Sequence, residues 1–133
     1  MDPKRLKSVP LFEGLSRKSL EQLGTWTDEV TIPEGKVLAQ EGSFAYEFFA
    51  IEEGTAEVTR SGLHLSTLGP GDFFGEIALL EADRRTASVV ATSEMKLIVM
   101  SRRDFRTMTD KMPRVAEHIR AKIRERLAGD RDR

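Results

Sequence analysis

The sequence predicts a mainly β fold with flanking helices: an eight-stranded antiparallel jelly-roll barrel between an N-terminal helical segment and two C-terminal helices. Three observations predict it. Between Asp28 and Met100 the apolar residues fall in short runs separated by glycine-bearing breakers, with no helices of ordinary length between them. Helical spacing of apolar residues appears only outside that stretch. The length, 133 residues with 39% hydrophobic and 32% charged, suits one domain around a single core. The expected division is 1–27 helical, 28–100 barrel and 101–128 helical, within a single domain spanning 1–133.

The opening zone carries Leu6, Val9, Leu11, Phe12, Leu15, Leu20 and Leu23 at helical spacing. Ser16 is placed to cap a helix that begins at Arg17, and Gly24 to end it. The barrel zone offers eight strands: Glu29–Ile32, Val37–Gln40, Glu47–Ile51, Thr55–Arg60, Leu63–Leu68, Phe73–Phe74, Ala87–Ala91 and Lys96–Met100. Turn residues divide most of them, among them Pro33-Glu34-Gly35, Glu41-Gly42-Ser43, Glu53-Gly54, Ser61-Gly62 and Gly69-Pro70-Gly71. Ala56 and Val58 alternate with polar neighbours and should face inward. In the last zone, Ser101 with Asp104 resembles a capping box opening a short helix through Phe105 and Met108. Pro113 suits the first turn of a second helix. Val115, Ile119, Ile123 and Leu127 give that helix one apolar stripe, Gly129 should end it, and Asp130 to Arg133 should fray.

Composition excludes several function classes. With no cysteine there are no disulfides, thiolate metal sites or thiol nucleophiles. No apolar run reaches the roughly 20 residues of a membrane span, and the start lacks a secretory signal, so a cytoplasmic location without membrane insertion is expected. The formal net charge of −1 hides an asymmetry: 10 basic and 16 acidic residues through Ser101, against 11 basic and 6 acidic from Arg102 onward. Those basic residues alternate with acids and carry no interleaved aromatics, the pattern of a solvated helix face rather than a nucleic-acid surface.

One stretch, Gly69 to Val89, interrupts the strand pattern. Residues Glu76 to Leu80 favour a helical turn between two strands, and a helix N-terminus presents unpaired N–H groups to an anion. Gly75 before that turn lets a ligand approach closely. Arg85 at the far end can offer a bidentate fork to a phosphate, and Glu76 can accept from a sugar hydroxyl. The plainer alternative is a salt bridge between Glu76 and Arg84 or Arg85 closing a surface loop. The glycines alone do not choose, because they miss the G-x-G-x-x-G spacing.

Phe74-Gly75-Glu76-Ile77-Ala78-Leu79-Leu80, four residues, then Arg85-Thr86-Ala87-Ser88-Val89 resembles the phosphate-binding cassette of the cyclic nucleotide-binding domains. That family includes cyclic-nucleotide-dependent kinase regulatory subunits, cyclic-nucleotide-gated channels and the catabolite activator protein. Val9 to Ser16 resembles its opening helix and turn, and Ser101 to Phe105 with Pro113 its closing helices. The resemblance implies a short helix inside the cassette and a non-catalytic sensor module for cAMP, with cGMP the alternative because Thr86 follows the phosphate arginine. It implies that Glu76 accepts the ribose 2′-hydroxyl and Arg85 pairs with the cyclic phosphate. Backbone N–H groups near Ala78, Thr86 and Ala87 would complete the phosphate cradle. Val58 and Leu68 would flank the base, or serve only the core. Arg126 and Leu127 would close over the purine, with a solvated Arg126 as the alternative.

By the same resemblance, ligand capture draws the cassette turn inward and repacks the last helix over the barrel mouth, signalling to a partner protein or fused effector. Homo-oligomer formation through the last helix stays open. A transcription regulator lacking its DNA-binding domain is one alternative, since no helix-turn-helix follows Leu127 and sequence-specific nucleic-acid binding is not expected. A cassette that no longer binds nucleotide and serves protein interaction is another. A jelly-roll metalloenzyme is disfavoured because His64 and His118 stand 54 positions apart, so no metal is expected. No Ser-His-Asp arrangement is visible either.

Overall fold

The computed structural model describes residues 1–131. The chain opens with helix α1 (Pro3–Lys7), a 3-10 turn (Pro10–Phe12) and α2 (Arg17–Gly24). Eight strands follow: β1 (Asp28–Ile32), β2 (Val37–Ala39), β3 (Glu47–Glu53), β4 (Ala56–Arg60), β5 (Leu63–Leu68), β6 (Phe73–Phe74), β7 (Ser88–Ala91) and β8 (Met95–Ser101). A π-helical turn (Ala78–Ala82) lies between β6 and β7, and α3 (Arg102–Lys111) and α4 (Pro113–Arg131) close the chain. The strands form two four-stranded sheets, ordered β1-β8-β3-β6 and β2-β7-β4-β5, with every pairing antiparallel. This is the jelly-roll architecture that the short glycine-punctuated runs predict. Gly54 shows why a turn there needs glycine: its φ is +92°, and a Cβ would stand 2.3 Å from the Glu94 carbonyl oxygen.

Alternation along β3 and β8 divides the core. Phe48, Ala50, Ile98 and Met100 face the helices and pack with Leu6, Phe12, Leu23, Phe105 and Met108. Phe49, Ile51 and Leu97 face the barrel interior and pack with Ile32, Ala56, Phe74 and Val89. The first sheet is thus apolar on both faces, whereas β5 on the second shows water its outer face.

The caps follow their residues. Ser16 Oγ accepts from the Ser19 N–H at 3.1 Å and Ser101 Oγ from the Asp104 N–H at 3.1 Å, each satisfying a donor that its helix leaves open. Of two glycine expectations at helix ends, one holds and one needs correction. Gly24 does end α2, but without a left-handed conformation: a Cβ there would lie 2.6 Å from the Met1 carbonyl oxygen, so close approach of the N-terminal segment favours glycine. Gly129 does not end α4, which continues to Arg131 because the helix hydrogen bonds run on through it. The expected fraying of Asp132 and Arg133 falls outside the described residues.

The apolar stripe expected on α4 is buried. Val115, Ile119 and Ile123 are buried in the helix-facing core with Leu6, Phe12 and Phe105, and Leu127 is half-buried against that same cluster. They anchor α4 to the helices.

Candidate ligand-binding site

The cassette geometry begins at Gly75. After β6 the chain turns there with φ +94°, and a Cβ would meet Arg85 Nη1 at 2.7 Å and the Glu47 carbonyl oxygen at 3.0 Å. Glycine thus allows both the turn and the approach of Arg85 to the backbone. Glu76 and Ile77 start a helical turn that widens into the π turn at Ala78–Ala82, longer than the predicted Glu76 to Leu80 segment. Asp83, with φ 61°, ends it through an N–H bond to the Ala78 carbonyl at 2.6 Å.

These turns enclose a cavity of about 250 Å³ between the cassette, the second sheet and α4. Eleven of the twelve residues singled out from the sequence line it: Val58, Leu68, Phe74, Gly75, Glu76, Ile77, Ala78, Arg85, Thr86, Ala87 and Arg126. Leu127 does not, because its side chain turns to the helical core. The remaining wall comes from Ala39, Arg60, Leu65, Ser66, Val89 and Glu125, which sequence reasoning missed. Period-two alternation on β5, with Leu68 already inward, carried a signal only for Ser66. The alternation that turns Ala56 and Val58 inward pointed to Arg60 as well, whereas Glu125 gave no signal.

Glu76 is fully buried. Its Oε1 accepts from the Arg126 guanidinium, while Oε2 is buried with no hydrogen-bond partner. Burial pushes its carboxyl above the usual carboxylate range, and Arg126, with Lys122, opposes the rise. The predicted Glu76 ion pair therefore exists, but with Arg126 across 50 residues of sequence rather than with Arg84 or Arg85. Arg126 also donates to the Phe73 carbonyl and lies 5.4 Å from the Phe73 ring centre, so it is not a solvated residue.

Arg85 is 8% exposed. Its Nη1 donates to the Gly75 carbonyl at 3.2 Å and Nη2 to the Glu47 carbonyl at 2.8 Å. Burial lowers its pKa, opposed by Glu47 and Glu76. Arg60 Nε donates to the Thr86 carbonyl at 2.8 Å, fixing the backbone just after Arg85. One cavity thus holds a carboxylate oxygen in need of a donor and a guanidinium parked on neutral carbonyls. That arrangement suits an anionic ligand bearing a hydroxyl, with apolar Val58, Leu65 and Leu68 for a flat ring.

Among the described residues, no three His, Cys, Asp or Glu side chains gather to hold a metal ion. His64 lies on β5, 3.5 Å from Glu57, and is not among the cavity residues. No helix among the described residues is long and apolar enough to cross a membrane.

Known proteins resemble the chain over most of its length. A cyclic nucleotide-gated potassium channel of Rhizobium etli is 34% identical over 122 residues, covering 92% of this chain and 34% of the channel. The cyclic AMP receptor protein of Thermus thermophilus is 29% identical over 127 residues, covering 92% of this chain and 59% of the receptor. The chain therefore spans only part of the length of these curated relatives. Among solved structures, the regulatory domain of Toxoplasma gondii PKA crystallised with cAMP superposes with a TM-score of 0.82 at 25% identity, covering 92% of this chain and 48% of that one. Residues 29–112 match the family model of the cyclic nucleotide-binding domain, which takes in the barrel, the cassette and α3. The chain belongs to the cyclic nucleotide-binding domain family.

Proposed function

We propose that the chain is a non-catalytic sensor whose ligand is cAMP, held in the cassette cavity and read out through α4. The observation that carries this reading is the unpaired, buried Oε2 of Glu76 in the same cavity as Arg85. A ribose 2′-hydroxyl would supply the missing donor. The cyclic phosphate would draw Arg85 from its two carbonyl partners into a charge-assisted pair, about twice as strong as a neutral hydrogen bond. N–H groups near Ala78, Thr86 and Ala87 complete the cradle, and Val58 and Leu68 flank the base. The cAMP in the crystallised Toxoplasma gondii domain supports this choice of nucleotide. Thr86 in the cavity wall, directly after Arg85, favours cGMP as the second reading.

Readout would run through Arg126. Because it shares Glu76 with the ligand, any change of that carboxylate on binding is felt by α4. This coupling is reciprocal: a partner protein or fused effector that moves α4 changes nucleotide affinity by the factor with which nucleotide moves α4.

Calorimetric titration with cAMP, cGMP and 5′-AMP, with Arg85→Ala in parallel, tests the reading. Loss of one charge-assisted phosphate contact should cost roughly 1.5–3 kcal/mol, about one to two decades of affinity. The expected result is binding that requires the cyclic phosphate and weakens by that factor in the variant. No binding by folded protein overturns it.

A further inference from the structure

We infer that Arg102 is a positioning residue for the anion site: from outside the cavity it holds the loop that presents Arg85. The inference rests on the nucleotide-binding reading above.

Arg102 is the first residue of α3. Its guanidinium donates to the Asp83 carboxylate and to the Ala45 carbonyl at 3.3 Å, and its backbone N–H donates to the Tyr46 carbonyl at 2.8 Å. These acceptors belong to the two sides of a short antiparallel clasp. Within it the Gly42 N–H donates to the Arg85 carbonyl at 2.9 Å, the Arg85 N–H to Ser43 at 2.7 Å and the Ala45 N–H to Asp83 at 3.0 Å. Phe44 and Arg84 form the bridging pair between the two sides. Arg102 therefore grips Asp83 on the cassette side and Ala45 and Tyr46 on the other, at the end of the clasp next to the Phe44–Arg84 pair.

Asp83 needs such an anchor. It holds φ 61°, a conformation that L side chains seldom adopt and that persists only where the surroundings hold it. Arg102, with Arg106 behind it, keeps the Asp83 carboxyl below the usual range, so the pair stays charged. With side chains 30% and 67% exposed, the pair adds little to global stability. Its leverage is local. Arg85 must exchange two backbone carbonyls for a phosphate, and a backbone already held in place spares the ordering cost of that exchange, which raises affinity.

A double-mutant cycle separates this role from general loosening. cAMP is titrated into the wild-type protein, Arg102→Ala, Arg85→Ala and the double variant. Arg102→Ala should weaken binding about fivefold when Arg85 is present and less than twofold when it is absent. Arg102→Lys, which keeps the charge beside Asp83 but lacks the fork for Ala45, should fall between wild type and Arg102→Ala. Affinity of Arg102→Ala within twofold of wild type, or an equal loss in both backgrounds, overturns the inference. If Arg102→Ala does not fold, Asp83→Asn takes its place in the same cycle. Absence of binding by folded wild-type protein overturns the nucleotide reading instead, and with it this inference.

Discussion

Removing the Arg126 side chain should make the stability of this domain depend on pH through one residue. In the native structure Glu76 is fully buried, with Oε1 on Arg126 and Oε2 unpaired. Burial raises the folded-state pKa of Glu76 above its ordinary value. A carboxyl raised in this way favours folding below its ordinary pKa, and that contribution is lost as pH climbs through the folded value. Arg126 opposes the rise, so Arg126→Ala moves the folded value further up and enlarges the loss at neutral and alkaline pH. Breaking a buried ion pair costs about 3–5 kcal/mol. Since 24% of the Arg126 side chain remains exposed, about 1–3 kcal/mol is expected here. At roughly 4 °C per kcal/mol for a domain of this size, melting should drop by about 4–12 °C near pH 8 and by clearly less near pH 5. Glu76→Gln in the same background should recover most of the loss, because no buried charge is left to compensate. Calorimetric melting of the three proteins across pH is the assay. A deficit that is the same at every pH, or no recovery with Glu76→Gln, would refute the assignment of the effect to Glu76 ionisation.

Gly75→Ala should cost about 1–2 kcal/mol for the left-handed backbone alone and push Arg85 off its carbonyls, so urea denaturation and cAMP titration should both register it. Ile119→Ala, in the helix-facing core and away from the cavity, should lower stability by about 2–5 kcal/mol and leave nucleotide affinity within about twofold, as read by the same two measurements. Ending the chain at Ile123 removes Arg126 but spares three buried anchors, and should weaken cAMP binding while the protein still melts cooperatively. Removing Arg114 onward also strips Val115, Ile119 and Ile123, and should abolish cooperative melting.

The strand map was legible because turn residues punctuate it. Gly35, Gly42, Gly54, Gly62 and Gly71 all take positive φ where the runs break, and every strand boundary falls within two residues of expectation. The cassette was legible for a different reason: Gly75, Glu76 and Arg85 lie within eleven consecutive residues, so local spacing holds their relation. Contacts between distant segments were not. Nothing near Arg126 in sequence distinguishes it from Arg120 or Arg124: the family resemblance alone singled it out, and its pairing with Glu76 depends on the docking of α4 through Val115, Ile119 and Ile123. The role of Gly24 was hidden likewise, since it depends on where Met1 comes to rest. Gly129 misled because a glycine preference at helix ends is a propensity, and α4 takes most of its stability from packing earlier in its length.

The two-faced sheet has a consequence for how the chain acquires its structure. β8 pairs with both β1 and β3, so its register joins residues near both ends of the barrel zone before either core can close. Loop closure over that separation is the slow entropic step, which puts folding in the milliseconds-to-seconds range of non-local β topologies. Once formed, β3 and β8 are shielded by helices on one side and by the barrel interior on the other. Their amide protons should be the last to exchange with solvent, while those at the exposed β5 edge go early.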